Sequence, residues 1–147
     1  TFADIEKAVA AGADYIGLGV AAHSKIANKR FANVSSIDDY ILMEKNSMDF
    51  LQTVDESSIE LLSPKDLYNE LIFLGLRRNE GISFAEIARA LDGIDAKEIH
   101  QGDLFPYVYD NIRFLIEEGL LHLSDKKISL TQMGREISNT VFTKLML

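Results

Sequence analysis

Ala13-Asp14-Tyr15-Ile16-Gly17-Leu18-Gly19-Val20-Ala21-Ala22-His23-Ser24 sets four large apolar residues, Tyr15, Ile16, Leu18 and Val20, among two closely spaced glycines. An apolar run this short, punctuated by glycine, reads as a buried strand. Residues 2–12, FADIEKAVAAG, place Phe2, Ile5 and Val9 on one helical face and Asp4, Glu6 and Lys7 toward water, with Gly12 as a natural stop. A helix followed by a buried strand is an α/β signature. One such unit cannot shield itself, because a parallel strand is covered on both faces by other elements. The expectation is the end of a larger α/β body, with upstream protein missing.

Downstream, residues 25–35 have weak periodicity and predict a loop or short hairpin. Ser36 is placed to cap a helix from Ile37, with Asp38 and Asp39 in its favourable first turn and Ile37, Tyr40, Ile41 and Met43 as its packing face. A connector follows, and a domain boundary is expected near residues 50–60. From there the signals sharpen. Ser63-Pro64 starts a helix carrying Leu67, Leu71, Ile72, Phe73 and Leu74. Ser83-Phe84-Ala85-Glu86 fits a capping box opening a second helix, with Phe84, Ile87, Ala88 and Leu91 inward. A helical turn is expected around residues 96–100. Leu104 to Glu118 predicts a third helix with the stripe Phe105, Val108, Ile112 and Leu115, acceptable to Pro106 only in its first turn. Leu121/Leu123 and Ile128/Leu130 then form a two-stranded ribbon turning at Ser124-Asp125-Lys126. Thr131 caps a single final helix lined by Met133, Ile137, Val141 and Leu145.

Helix, helix, helix, wing, helix is the order of a winged-helix domain. The expected fold is therefore the end of a larger α/β body over residues 1–54, followed over residues 55–147 by a mainly helical winged-helix C-terminal domain. Leu71, Ile87, Ile112, Leu115 and Ile128 are its expected core.

Composition narrows the chemistry. The 147 residues hold 15 Lys plus Arg against 23 Asp plus Glu, a net charge of -8. The acidity is spread along the chain and leaves no basic block able to neutralise several phosphates, so nucleic acid is not an expected partner. Cysteine is absent, which excludes disulfides, thiolate metal sites and cysteine nucleophiles within the segment and fits a reducing, cytoplasmic compartment. No apolar run approaches the roughly 20 residues of a membrane-spanning helix, and Asp4 and Glu6 interrupt any signal-peptide reading.

The segment from Asp14 to Ser24 resembles the late barrel segment of the oxygen-independent coproporphyrinogen III oxidase family, which includes related haem chaperones. The family form is D-Y-x-G-x-G followed by Gly-Ala-His-Ser, and here Ala21 stands where many members have glycine. Arg30-Phe31-x-Asn33 and Asp39-Tyr40 are similar too, as are Glu70-Leu71-Ile72-Phe73-Leu74-Gly75-Leu76-Arg77 with Gly81-Ile82. The likeness continues through Leu115-Ile116-Glu117-Glu118-Gly119-Leu120-Leu121, Leu130-Thr131-x-x-Gly134 and Asn139. Residues 1–13 lack the Asn and Tyr-Trp pair of the usual approach.

The resemblance implies a radical S-adenosylmethionine protein whose partial barrel binds a 4Fe-4S cluster through Cys-x3-Cys-x2-Cys. On the same resemblance residues 1–54 are an α/β barrel remnant. Without cysteine this segment binds no such cofactor, so it is a degenerate member of the family or, as favoured, an inactive fragment whose partner is the missing N-terminal barrel of the same protein. Two branches are open: an oxidase that decarboxylates propionates through a 5'-deoxyadenosyl radical, and a chaperone that binds haem and hands it on. The compact C-terminal part favours the chaperone. A tetrapyrrole or haem is the implied ligand.

On that resemblance Gly17, Gly19, Ala21, His23 and Arg30 are candidate cofactor-binding residues. Each also has an ordinary reading. The glycines permit close approach of either a ligand or another backbone, and they make no dinucleotide fingerprint. His23 could donate to a propionate, transfer a proton, ligate haem iron, or simply be hydrogen-bonded. Arg30 could bind a carboxylate or pair within the fold. His100 and His122 have no metal-ligand spacing. Arg77 and Arg78 end a helix favourably; pairing with Glu70 or another acid and contact with a bound anion are both open for Arg77. A DNA-reading role for the third helix is disfavoured by Asp110, Glu117 and Glu118 beside Arg113, with Lys126 and Lys127 the only basic pair at the wing.

Overall fold

The computed structural model describes residues 10, 13–46, 50–95 and 103–147. The expected helix over residues 2–12 and the turn around 96–100, with His100, lie outside the described residues. The chain divides into two compact units, Thr1–Leu62 and Ser63–Leu147. Each mixes helix and strand, and each carries its own small sheet.

In the first unit β1 (Ala13–Tyr15), β2 (His23–Ile26), β3 (Lys29–Ala32) and β4 (Glu60–Leu61) form an open sheet in that order. Every neighbouring pair is antiparallel. This corrects the expectation of one buried parallel strand through residues 14–20. The strand stops at Tyr15, and a turn containing Gly19 at φ 104 and Ala21 at φ 55 sends the chain back alongside it. Reversal of this kind needs only a turn, whereas a parallel neighbour needs a long crossover. Leu18 is 71% exposed and Val20 36%, so the apolar run marks the turn as well as the strand.

Residues 25–35 do form a hairpin, with Ala27 at φ 54 in its turn. Helix α1 (Ile37–Asn46) follows, and the Ser36 hydroxyl accepts from the Asp39 amide at 3.3 Å. Its expected packing side is largely open: Ile37 and Ile41 are exposed, and Tyr40 and Met43 are half-buried.

In the second unit α2 (Pro64–Gly75) leads to β5 (Ile82–Ser83), α3 (Phe84–Leu91) and α4 (Leu104–Glu117). The hairpin β6 (Leu121–Ser124) and β7 (Lys127–Leu130) precedes α5 (Gln132–Glu136) and α6 (Ser138–Leu145). Tyr68, Ile72, Ile82, Ile87, Ile112, Leu115, Ile128 and Leu145 are fully buried in one cluster. Four of the five expected core residues are among them. Leu71 is only half-buried, because its helix turns Tyr68 and Ile72 inward instead. The stripe on α4 likewise starts at Leu104, 4% exposed, and not at Phe105, 40% exposed.

Local chemistry closes the elements. Ser63 and Ser83 both cap helices through reciprocal bonds, Ser63 with Asp66 and Ser83 with Glu86. Asp125 and Lys126 take φ 49 and 62, the two left-handed residues of a two-residue hairpin turn whose twist suits the flanking strands. β5 adds a third strand that its two residues do not announce, giving the order β5-β7-β6. Gly81 makes that possible. It sits at φ 66 against the Ile128 carbonyl, where a side chain would collide.

The expected single final helix is broken. Ile137 leaves helical geometry at φ -117, ψ 34, which rotates the next helix. Val141 and Leu145 are buried, while Met133 and Ile137, on the same four-residue line, are exposed. No helix among the described residues is long and apolar enough to cross a membrane.

Burial of one Ile or Leu is worth about 1.5–3 kcal/mol and a helix cap about 1 kcal/mol, so the apolar cluster dominates and the caps trim the ends. The Ser83 hydroxyl, and then its amide, hold the Glu86 carboxyl below its ordinary value of 4.5. A carboxylate lowered on folding stabilises above its unfolded pKa, and that contribution is lost as pH falls through the folded one. Ser83→Ala should therefore cost about 1 kcal/mol at neutral pH. In urea titrations the gap from the parent chain should narrow progressively as pH drops below 4.5.

Candidate functional site

The glycine-bearing turn of the first unit is held from behind by one amide. Asn33, 7% exposed, follows β3 and bridges to Val54. Its Nδ2 donates to the Gly19 carbonyl at 2.8 Å and more weakly to the Gly17 carbonyl at 3.4 Å. Thr53, 4% exposed, donates its hydroxyl to Asn33 Oδ1 at 3.1 Å. That bond orients the amide with its donors toward the turn. The Gly17 amide donates to the buried Ser24 hydroxyl at 3.0 Å. Ala21 N and Asn33 N close the ladder on Val34 O and Ala22 O, at 3.0 and 2.9 Å.

Gly17 has no room for a side chain, since a Cβ there would meet the His23 carbonyl and Ala22. Gly19 instead faces open space, and its φ of 104 is what favours glycine. Ala21 occupies the left-handed region, at a cost of roughly 1–2 kcal/mol for a residue with a Cβ. Glycine in the family form is the unstrained choice there.

Three of the five candidates, Gly17, Gly19 and Ala21, are thus gathered on one clamped turn. His23 follows on β2, exposed and opposite Ala32. Arg30 is placed elsewhere on the ladder, opposite Lys25, and its Nη2 and Nε reach Glu60 Oε2 at 2.6 and 3.2 Å. Lys25, with its side chain 11% exposed, lies 3.6 Å from Asp14. Asn33, Thr53 and Ser24 were not identified as site residues from sequence. Asn33 lay within a matching motif, but a single amide carries no signal of which carbonyls it will meet.

The same unit has an open hollow of ≈ 1000 Å³ walled by Ile26, Phe31, Val54 and Ile59, with Lys29 and Glu56 at its polar part. Among the described residues no three His, Cys, Asp or Glu side chains gather to hold a metal. The chain has no cysteine at all, so a thiolate-held cluster does not fit the donors present. What the turn offers is a rigid backbone edge, two exposed apolar side chains and one imidazole.

In the second unit the Arg77 side chain is held against aromatic rings. Its guanidinium lies 3.8 Å from the Phe73 ring centre and 5.5 Å from that of Phe142, a cation–π arrangement. The outward face of α4 pairs Arg113 with Glu117 at 3.6 Å.

Residues 62–137 match the family model described as the HemN C-terminal domain. The chain is 34% identical over 133 residues to the heme chaperone HemW of Bacillus subtilis, covering 87% of this chain and 30% of that protein. It is 27% identical to the heme chaperone HemW of Lactococcus lactis, covering 91% of this chain and 31% of that one. It therefore spans under a third of the length of these relatives. The Escherichia coli coproporphyrinogen III oxidase HemN, described as a radical SAM enzyme, superposes with a TM-score of 0.52. That likeness covers 88% of this chain and 27% of the other, at 18% identity, and concerns the fold alone.

Two substitutions probe the clamp. Asn33→Ala removes the donors that hold the Gly17 and Gly19 carbonyls, each such bond being worth about 1 kcal/mol. Amide exchange over residues 18–22 should rise roughly tenfold while the amides of α4 stay unchanged. Ala21→Gly should relieve the left-handed strain and raise stability by about 0.5–1 kcal/mol in denaturant titration.

Proposed function

The chain belongs to the family of HemN C-terminal domains, and on that premise we propose that it is the C-terminal part of a longer radical SAM protein of porphyrin and haem metabolism, of the haem-chaperone kind. The observation that carries this reading is that the family match falls almost entirely on the second compact unit. The chaperone branch is favoured because both curated relatives above are described as haem chaperones.

Within this proposal residues 1–54 are the terminal segment of a partial barrel and residues 55–147 the accessory domain. The first unit's open sheet has β1 and β4 at its edges, as a piece of a larger sheet would. The accessory domain is read as a winged helix. Three helices, α2, α3 and α4, precede the β6–β7 ribbon, and β5 pairs along the ribbon's other strand.

Gly17, Gly19, Ala21 and His23 are assigned to the wall of the cofactor or tetrapyrrole pocket of the longer protein. The Asn33 clamp supports this, since it fixes the turn from one side while Leu18, Val20 and His23 stay exposed. Arg30 is assigned to the same pocket at a cost: its guanidinium must exchange Glu60 for a propionate. The longer protein would act in the cytoplasm. Cluster and S-adenosylmethionine would be held by residues outside this segment, and the accessory domain would not bind nucleic acid.

Haem titration of the longer protein, followed by its Soret band, should saturate at one equivalent. Parallel assays with coproporphyrinogen should show no turnover. The 147-residue chain reconstituted with iron and sulfide should take up no stoichiometric cluster. Turnover without haem binding would replace the chaperone reading with the oxidase one.

A further inference from the structure

Leu76, Arg77, Arg78 and Asn79 follow the end of α2, and they face Ser129 and Leu130 of β7 and Arg135 of α5 across a small cleft. Its cavity volume is ≈ 20 Å³, open to solvent. About 10–15 Å³ holds one water, so the cleft seats a single oxygen-sized atom and the rest of a bound group lies at its mouth. Its polar lining residues are Arg77, Arg78, Arg135, Asn79 and Ser129, with no Asp or Glu among them.

This cluster is out of keeping with a chain of net charge -8. Like charges crowded together repel unless something answers them. Among the described residues none of the three guanidiniums lies in a salt bridge. Arg77 rests on Phe73 and Phe142. Arg78 is near enough to Glu86 to help lower its pKa, and Ser83 donates to that carboxylate's Oε2 at 2.8 and 2.6 Å. Arg135 donates a long bond, 3.5 Å, to Asn79 Oδ1, which leaves the Asn79 amide nitrogen as a donor.

Two helix ends oppose an anion here, those of α2 and α5. Each contributes about half an elementary negative charge. Three arginine charges stand against these two helix ends and the Glu86 carboxylate beside Arg78.

We propose that this cleft is a binding site for a phosphate-class oxyanion, gripped by Arg78 and Arg135 with Arg77, Asn79 and Ser129 around it. A tetrahedral group presents three or more acceptors to donors converging from several sides, whereas a planar carboxylate presents two. The positions of the donors come from the tertiary fold: residues 77–79 and residues 129–135 meet because α2 and β7 pack around one core.

The 147-residue chain should be titrated with inorganic phosphate at constant ionic strength while amide and arginine Nε resonances are followed. Saturable shifts confined to residues 76–79 and 129–135 are expected. Arg135→Gln and Arg78→Gln should each weaken binding roughly tenfold, as loss of a charge-assisted bond does. Circular dichroism and thermal melts would establish that both variants remain folded. Lys126→Gln/Lys127→Gln, which removes two positive charges at the ribbon turn, should leave the affinity within about twofold. Tighter binding of a nucleoside monophosphate would place the phosphoryl group on an ester; equal binding would point to the free ion. Equal or tighter binding of succinate, unsaturable shifts, or an equal loss in the lysine variant would overturn the site.

Discussion

The close approach of Gly81 to the Ile128 carbonyl is the constraint on which the second unit rests. It lets Ile82 and Ser83 join β7 as a third strand, with Ile82 directly opposite Ile128. Both isoleucines are fully buried. Ser83 then serves two purposes, ending the strand and capping α3 through Glu86. Sheet, second helix and core are therefore set by one backbone contact that a side chain at position 81 would obstruct. The arginine cleft depends on the same packing, because β7 also supplies Ser129 and Leu130 to it.

The first unit is organised differently. Its described apolar residues are mostly exposed or half-buried, and Phe31 and Leu62 are its only buried large ones among those described. Order at the glycine turn comes from polar bonds in a place where they are shielded: Asn33, Thr53 and Ser24 are all buried. A buried amide left without partners is costly, so this small network admits few alternative shapes. Among its described residues the unit has little core and many exposed apolar side chains, Leu18, Ile37, Leu42 and Leu61 among them, a surface suited to packing against further protein. The proposed place within a longer chain gives that surface a purpose.

Helix starts were the most legible part, whereas the helix expected to end at Arg77 and Arg78 stops at Gly75. Ser63, Ser83 and Thr131 are caps in the structure as their spacing implied, and Pro106 falls in the first turn of α4. The ribbon turn at Asp125-Lys126 and four core residues were likewise readable from pattern. Two of the misreadings share a cause. In residues 14–20 and in the line from Met133 to Leu145 the apolar spacing was real, but the backbone turned partway along, at Gly19–Ala21 and at Ile137. Apolar periodicity reports which residues could face a core if the chain kept its direction, and it is silent on whether it does.

The candidate site divides along the same line. Sequence by itself determined that the segment holds no thiolate ligands, that its glycines and His23 lie close along the chain, and that α2, α3 and α5 start at serine and threonine caps, because those are matters of composition and of contacts within a few residues. Only the tertiary structure decided that Asn33 clamps the glycine turn, that Arg30 meets Glu60, and that Arg77, Arg78 and Arg135 line one cleft. Those partners lie far apart in the chain, and which of many distant groups meet is settled by how the cores pack.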